Sequence, residues 1–211
     1  SQKLQISTPA GELLITTPLI GLFNQENLLL ATGFALAAGV SPRAIEKGFA
    51  SVSVPGRMEL VCEGEAAVVV DYAHTPDALE RVLQSVRSNV TGELIALFGC
   101  GGDRDRTKRP KMGKAAAQWA DRLVLTSDNP RTEDRLEILK EIELGVPAGK
   151  AMKVIPDRRE AIHQTISELR TGDLLLIAGK GHEDYQIIGK EKVPFDDRVE
   201  AQKAWEARYG S

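Results

Sequence analysis

The chain has 211 residues, 42% hydrophobic and 27% charged, with a formal net charge of −3 at neutral pH. That length and apolar content support one large domain, or one domain with an appendage, around a real core, and the acidic balance speaks against nucleic acid or an anionic membrane surface as partner. No apolar run approaches the length of a membrane span, and the opening Ser-Gln-Lys-Leu-Gln has no signal-peptide character, so a soluble, cytoplasmic protein is expected.

Short β-prone runs over residues 4–7 and 13–16, separated by Thr-Pro-Ala-Gly with Gly11 in the turn, predict a hairpin. Residues 28–38 are apolar and alanine-rich nearly all round, which predicts a helix buried on several sides. Ser41-Pro42 then sets an N-cap and a first-turn proline for a second helix through Ala50. Val54-Pro55-Gly56 breaks the pattern, and a domain boundary is expected there, separating residues 1–55 from 56–211.

From Ala66 onward strands and helices alternate. Strands are expected over 67–71, 94–98, 122–125, 153–155, 174–178 and 185–188, and helices over 76–87, up to Trp119, from about Asp134 to Leu144, over 158–169, and from Asp197 to the end. Thr75 is the expected cap of the first of these helices. The rhythm is that of successive βαβ units, so the fold class is α/β, a mostly parallel Rossmann-like sheet with helices on both faces.

In such a sheet the loops after the strands share one edge, where ligands bind. Four loops fall there: Tyr72 to Asp77, Gly99 to Arg106, Thr126-Ser127-Asp128-Asn129-Pro130-Arg131, and Gly179-Lys180-Gly181-His182-Glu183. Each has a plainer reading alone, as turn chemistry, a cap or solvated charge. Together they predict a polar binding face, and the Asp, Asn and Arg of the third loop suit a zwitterion better than a simple anion. Arg104, Arg106, Lys108 and Arg109 add local positive charge that would welcome a carboxylate or phosphate.

The glycine loop is not a dinucleotide fingerprint, because Arg104 stands where GxGxxG needs its third glycine, and no GxxxxGK[ST] phosphate loop occurs in the sequence. Cys62 and Cys100 stand far apart without CxxC spacing, so free thiols are expected and no metal site is signalled.

Six motifs in order carry a resemblance: Val54 to Glu59, Asp71-Tyr-Ala-His74-Thr-Pro-Asp77, Gly99 to Asp105, Lys108-Arg-Pro110, Thr126 to Arg131, and Gly179 to Glu183. In that order they resemble the Mur ligases over nearly the whole chain. The Asp-Asn-Pro-Arg version of the central motif resembles the members that add meso-diaminopimelate to UDP-N-acetylmuramoyl-L-alanyl-D-glutamate in peptidoglycan synthesis; lysine-adding relatives usually lack that arginine. The resemblance implies ATP-dependent amide ligation through an acyl phosphate, with ATP and Mg2+ used by the full-length ligase.

By the same resemblance, Arg104, Asp128, Asn129, Pro130, Arg131, Gly179 and Glu183 match amino-acid-binding positions, and Asn24, Asn27, Arg57, Asp71 and His74 match positions that approach ATP. Residues 1–55 resemble the tail of the central ATPase domain, and residues 56–211 the carboxyl-terminal, amino-acid-binding domain. The family's amino-terminal domain, most of its central domain, the phosphate loop and the carbamylated lysine that holds magnesium have no counterpart in this sequence. Two other readings stay open: a non-catalytic amino-acid-binding module, and a lysine-adding ligase.

Overall fold

A computed structural model describes residues 2–19 and 21–210, with Leu22 described by its backbone alone. The chain separates into two compact units, Ser1–Glu59 and Leu60–Ser211.

The first unit begins with an antiparallel hairpin, β1 (Gln2–Thr8) and β2 (Gly11–Thr17), turned at Gly11 with φ 112°. Two helices follow, α1 (Leu22–Ala37) and α2 (Pro42–Ser51). The alternation of β2 puts Leu13 and Ile15 on one face. They form a small core with Ile6 and Ile45, onto which Ala35, Leu36 and Phe49 pack.

Two expectations need correction here. Helix α1 starts at Leu22, so Asn24 and Asn27 lie on it rather than before it. Nor is α1 buried on several sides, since Leu29, Leu30 and Phe34 are 56%, 61% and 69% exposed. Within its own unit the helix meets apolar neighbours along its Ala35 and Leu36 side.

The second unit contains β3 (Glu59–Glu63), β4 (Ala67–Asp71), α3 (Pro76–Arg87), β5 (Leu94–Phe98), α4 (Lys108–Trp119), β6 (Arg122–Leu125), α5 (Arg135–Glu143), β7 (Ala151–Val154), α6 (Arg158–Glu168), β8 (Leu174–Ala178), β9 (Tyr185–Ile188), β10 (Glu191–Pro194) and α7 (Asp197–Tyr209). The expected series from Ala66 onward is present, with ends shifted by a residue or two. Strands β3 and β10 had no sequence signal. Strand β3 carries only the three-residue apolar run Leu60-Val61-Cys62, of which Cys62 alone is buried, and no residue of β10 is buried.

The six-stranded sheet has the order β3-β4-β8-β5-β6-β7, and the pairs β4–β8, β8–β5, β5–β6 and β6–β7 are all parallel. Strands β4, β5 and β8 are almost wholly buried, as expected of strands covered on both faces. Val68, Val70, Ile95, Leu97, Val124, Leu175 and Ile177 share one face with Ala161, Ile162 and Ile166 of α6 and Ala201 and Ala204 of α7. By the two-residue period, Val69, Ala96, Phe98, Leu123, Leu125 and Leu176 point to the other face. Helices α3, α4 and α5 pack in series, with Leu79, Leu83, Met112, Ala116 and Ile142 fully buried.

Candidate functional site

The strand order decides which loops meet. Strands β4, β8, β5 and β6 are consecutive in the sheet, so the four loops at their carboxyl ends are neighbours although the sequence scatters them over more than a hundred residues. Main-chain bonds fasten them. The Gly179 N–H donates to Asp71 O at 3.0 Å, Thr126 N–H to Phe98 O at 2.9 Å, and Gly102 N–H to Asn129 O at 2.9 Å.

Two glycines make this approach possible. A Cβ on Gly99 would lie 2.0 Å from Thr126 O, and one on Gly102 would lie 1.9 Å from Pro130 O. The glycine loop therefore serves to bring backbone against the 126–131 motif.

A cleft of about 440 Å³ opens over these loops. Arg104, Asp128, Asn129, Arg131, Gly179 and Glu183 all line it, as does His74. Pro130 instead lines a neighbouring cavity of about 480 Å³, together with Ser127 and Arg158. Asp71 ends β4, where its Oδ1 accepts from the Ala73 N–H at 2.7 Å and so shapes the turn that presents His74. The other three residues expected near ATP belong to the first unit, Asn24 and Asn27 on α1 and Arg57 in the turn before β3.

Arg131 supplies the cationic end. Its backbone is left-handed, with φ 51°, and is held from both sides by β9 and its turn, with Arg131 N–H on Ile187 O at 3.0 Å and Gly189 N–H on Arg131 O at 2.8 Å. The guanidinium donates from Nη1 to Gly102 O at 2.9 Å and to Asn129 O at 3.5 Å. Its Nε and Nη2 have no protein hydrogen-bond partner among the described residues, which leaves the edge that pairs bidentately with a carboxylate. Arg104 lies near, its Nη1 donating to Asp103 O at 3.0 Å.

The other end is acidic, and at its floor lies Lys180, a residue that sequence reading treats as a solvated charge. The structure overturns that reading, because its side chain is fully buried. Its Nζ donates to Asn129 Oδ1 at 3.0 Å, Glu183 Oε2 at 3.2 Å and Asp128 Oδ1 at 3.4 Å. Asn129 Oδ1 also accepts from the Ile187 N–H at 2.9 Å, while Nδ2 donates to Glu183 Oε2 at 3.0 Å. Two donors on one side and an acceptor on the other fix the orientation of that amide.

Two fully buried arginines hold the loops in place. Arg158, fully buried, makes a paired contact with Asp197 (Nε to Oδ1 2.7 Å, Nη2 to Oδ2 2.8 Å) and binds Ala178 O at the end of β8 at 3.0 Å and Ser127 O in the loop after β6 at 3.3 Å. Arg109, also fully buried, bonds Glu133 and Glu141 at 2.8–2.9 Å and reaches Gly101 O at 3.3 Å. Glu133 accepts the Asp103 N–H as well, and with the Arg109 guanidinium beside it its carboxyl is pulled down to about 2. The sequence marks Arg158 only as a helix start and Arg109 as one of four loop cations that would welcome a carboxylate or phosphate; the second expectation is corrected, because Arg109 is fully buried and paired with Glu133 and Glu141, and Arg106 also pairs with Glu141.

On the near side, the Lys108 ammonium donates to His74 O at 2.9 Å. His74 Nδ1 lies 2.9 Å from Tyr72 O, which can only accept, so Nδ1 carries a proton. Both cysteines are free, and burial pushes the Cys100 thiol up to about 12, which makes it a packing residue rather than a nucleophile.

A cleft that carries an unpaired guanidinium edge together with two carboxylates can hold a ligand bearing both a carboxylate and an ammonium group. The family description "Mur ligase, glutamate ligase domain" matches residues 56–181. A UDP-N-acetylmuramoyl-L-alanyl-D-glutamate–2,6-diaminopimelate ligase from Gloeobacter violaceus is 52% identical over 204 residues, 95% of this chain and 42% of the relative. A solved structure of a ligase of that same name superposes with a TM-score of 0.76 at 43% identity, covering 99% of this chain and 43% of the other.

The Mycobacterium tuberculosis folylpolyglutamate synthase complexed with ADP and AMPPCP shares the fold, with a TM-score of 0.64 at 23% identity over 84% of this chain and 42% of the other. The chain thus spans less than half the length of each of these relatives. Because the family description covers more than half of the sequence and a relative half identical to it extends over nearly all the rest, this chain belongs to the Mur ligase family.

Proposed function

We propose that the chain is the amino-acid-recognising portion of an ATP-dependent ligase that adds meso-diaminopimelate to UDP-N-acetylmuramoyl-L-alanyl-D-glutamate in cytoplasmic peptidoglycan synthesis. The observation that carries this reading is the unpaired Nε/Nη2 edge of Arg131 in the same cleft as Asp128 and Glu183. The distal stereocentre of diaminopimelate bears one carboxylate and one ammonium group, and each meets its complement there. Lysine has the ammonium group but no distal carboxylate, so it leaves the Arg131 fork unanswered, a loss that discriminates strongly in a partly desolvated site. A cleft of about 440 Å³ is of a size that holds such a molecule.

In this reading ATP, with Mg2+, converts the glutamate carboxylate of the precursor to an acyl phosphate, and the amine of diaminopimelate displaces phosphate. The relative solved with ADP and AMPPCP supports a nucleotide for the whole ligase. His74, Asp71, Arg57, Asn24 and Asn27 are the residues of this chain proposed to approach it. The phosphate loop and the carbamylated lysine belong to the remainder of the ligase, so this chain alone recognises the amino acid and is not itself a catalyst.

Calorimetric or NMR titration with the two amino acids tests the assignment. Diaminopimelate is expected to bind weakly but measurably and lysine worse; equal binding of the two removes the substrate assignment. Incubation with ATP, precursor and diaminopimelate is expected to yield no product, and product formation would show that the chain is a complete catalyst.

A further inference from the structure

Lys180 is fully buried behind the cleft lining and bonds three groups that line it: Asn129 Oδ1 at 3.0 Å, Glu183 Oε2 at 3.2 Å and Asp128 Oδ1 at 3.4 Å. We propose that Lys180 is a positioning residue that prepares the acidic end of the cleft to take a single ammonium group. The proposal rests on reading the cleft as a diaminopimelate site.

Charge counting carries the first step. Asp128 and Glu183 contribute two negative charges and Lys180 one positive charge, so one negative charge remains, the complement of one ligand ammonium. Without Lys180 two carboxylates would share a poorly hydrated floor with no resident cation, an arrangement that splays them apart or draws in a proton or a metal ion.

Geometry carries the second step. Lys180 takes Oδ1 of Asp128 and Oε2 of Glu183, and Asn129 Nδ2 takes the same Oε2. The remaining oxygens, Asp128 Oδ2 and Glu183 Oε1, have no protein hydrogen bond among the described residues. Asp128 Oδ2 faces the position above Gly179, lying 3.5 Å from where a Cβ would stand. Lys180 thus occupies one oxygen of each carboxylate and leaves the other for the ligand. It also takes part in fixing the Asn129 amide, whose Oδ1 it shares with the Ile187 N–H.

Lys180 never meets the ligand in this arrangement. Its own ammonium lies below the carboxylates, and the Tyr185 ring stands 5.7 Å from Nζ. Its effect is confined to the ligand group that the two carboxylates hold.

That confinement gives a test that a general loss of structure would not pass. Diaminopimelate and 2-aminopimelate, which lacks the distal ammonium, are titrated into the unaltered chain and into Lys180→Met, a near-isosteric neutral replacement. The expected result is a loss of roughly tenfold to a hundredfold in diaminopimelate affinity with little change for 2-aminopimelate. Equal losses for the two ligands, or no loss, overturn the role of Lys180 while leaving the diaminopimelate reading standing. An unaltered chain that binds both ligands equally overturns the reading and the proposal together.

Should Lys180→Met not fold, Lys180→Gln replaces it in the same cycle. The unaltered chain supplies an independent measurement, since the Lys180 15Nζ resonance should shift on adding diaminopimelate and stay in place with 2-aminopimelate. A resonance that ignores both ligands counts against the proposal.

Discussion

The Arg131 guanidinium is tied to the Gly102 carbonyl oxygen by a single 2.9 Å bond from Nη1, so the main chain of one loop aims the side chain of another. The arrangement is close-fitting: a Cβ on Gly101 would lie 2.9 Å from that same Nη1. Both arginine and loop are held, while the Nε/Nη2 edge stays open to a ligand.

Replacing Arg131 should therefore change selectivity more than stability. Arg131→Ala removes the fork, and Arg131→Lys keeps the charge without the planar pair of donors. Each is expected to lower the preference for diaminopimelate over lysine by about 1.5–3 kcal/mol, on the order of tenfold to a hundredfold. Titration of both variants with both amino acids measures the ratio, and an unchanged ratio would make Arg131 only a turn residue.

The buried clamp beneath the loops should behave in the opposite way. Arg158 and Asp197 are both fully buried and doubly bonded, so Asp197→Ala leaves a guanidinium in the interior without its counter-ion. A loss of roughly 3–5 kcal/mol in unfolding free energy is expected by chemical denaturation. Arg158 also binds Ala178 O at the end of β8 and Ser127 O in the loop after β6, so ligand binding should weaken with it. A variant as stable as the parent would show that the pair has no structural role.

Acid stability has a named source in Glu133, whose carboxyl is lowered from 4.5 to about 2, chiefly by its hydrogen bonds with Arg109. A group whose folded pKa is depressed contributes stability that is fully present above its unfolded value and is lost as pH falls through its folded value. The contribution of Glu133 should thus be complete above about pH 4.5 and disappear between there and about pH 2. Unfolding curves for the parent and Glu133→Gln should converge as pH drops through that window. A constant gap from pH 6 to 2 would assign the acid sensitivity elsewhere.

Two glycines should respond with opposite sign to the same substitution. Gly102→Ala would drive a Cβ to 1.9 Å from Pro130 O, so the loop must move, with losses of both stability and diaminopimelate binding. Gly33 lies inside α1 with nothing within 4 Å of its added Cβ. Gly33→Ala should raise the stability of the first unit by roughly 0.5–1 kcal/mol, by cutting the backbone freedom lost on folding. Thermal unfolding of the two variants checks the contrast.

Much of the architecture was legible before any coordinates. The strands β4, β5, β6 and β8 are short, continuous apolar runs followed by polar, glycine-bearing loops, and that local pattern marks both a buried parallel strand and its ligand-facing end. Turn and cap chemistry is local as well, which is why Thr75 at α3 and Ser41-Pro42 at α2 stand where their residue types predict. Strands β3, whose apolar run is only Leu60-Val61-Cys62, and β10, where no residue is buried, were missed for the same reason.

The placement of β8 between β4 and β5 was a different matter, because strand order is set by long-range packing and leaves no mark on neighbouring residues. That order alone brings Gly179 beside Asp71 and Lys180 beneath Asn129. Burial of charge followed the same division. Lys180, Arg109 and Arg158 look like surface residues in one dimension, and only the folded chain surrounds each with the carboxylates and carbonyls that make a buried cation tolerable. Residue type and spacing determined the chemistry available at the sheet edge, and tertiary packing decided which of those groups line the cleft and which hold the others in place.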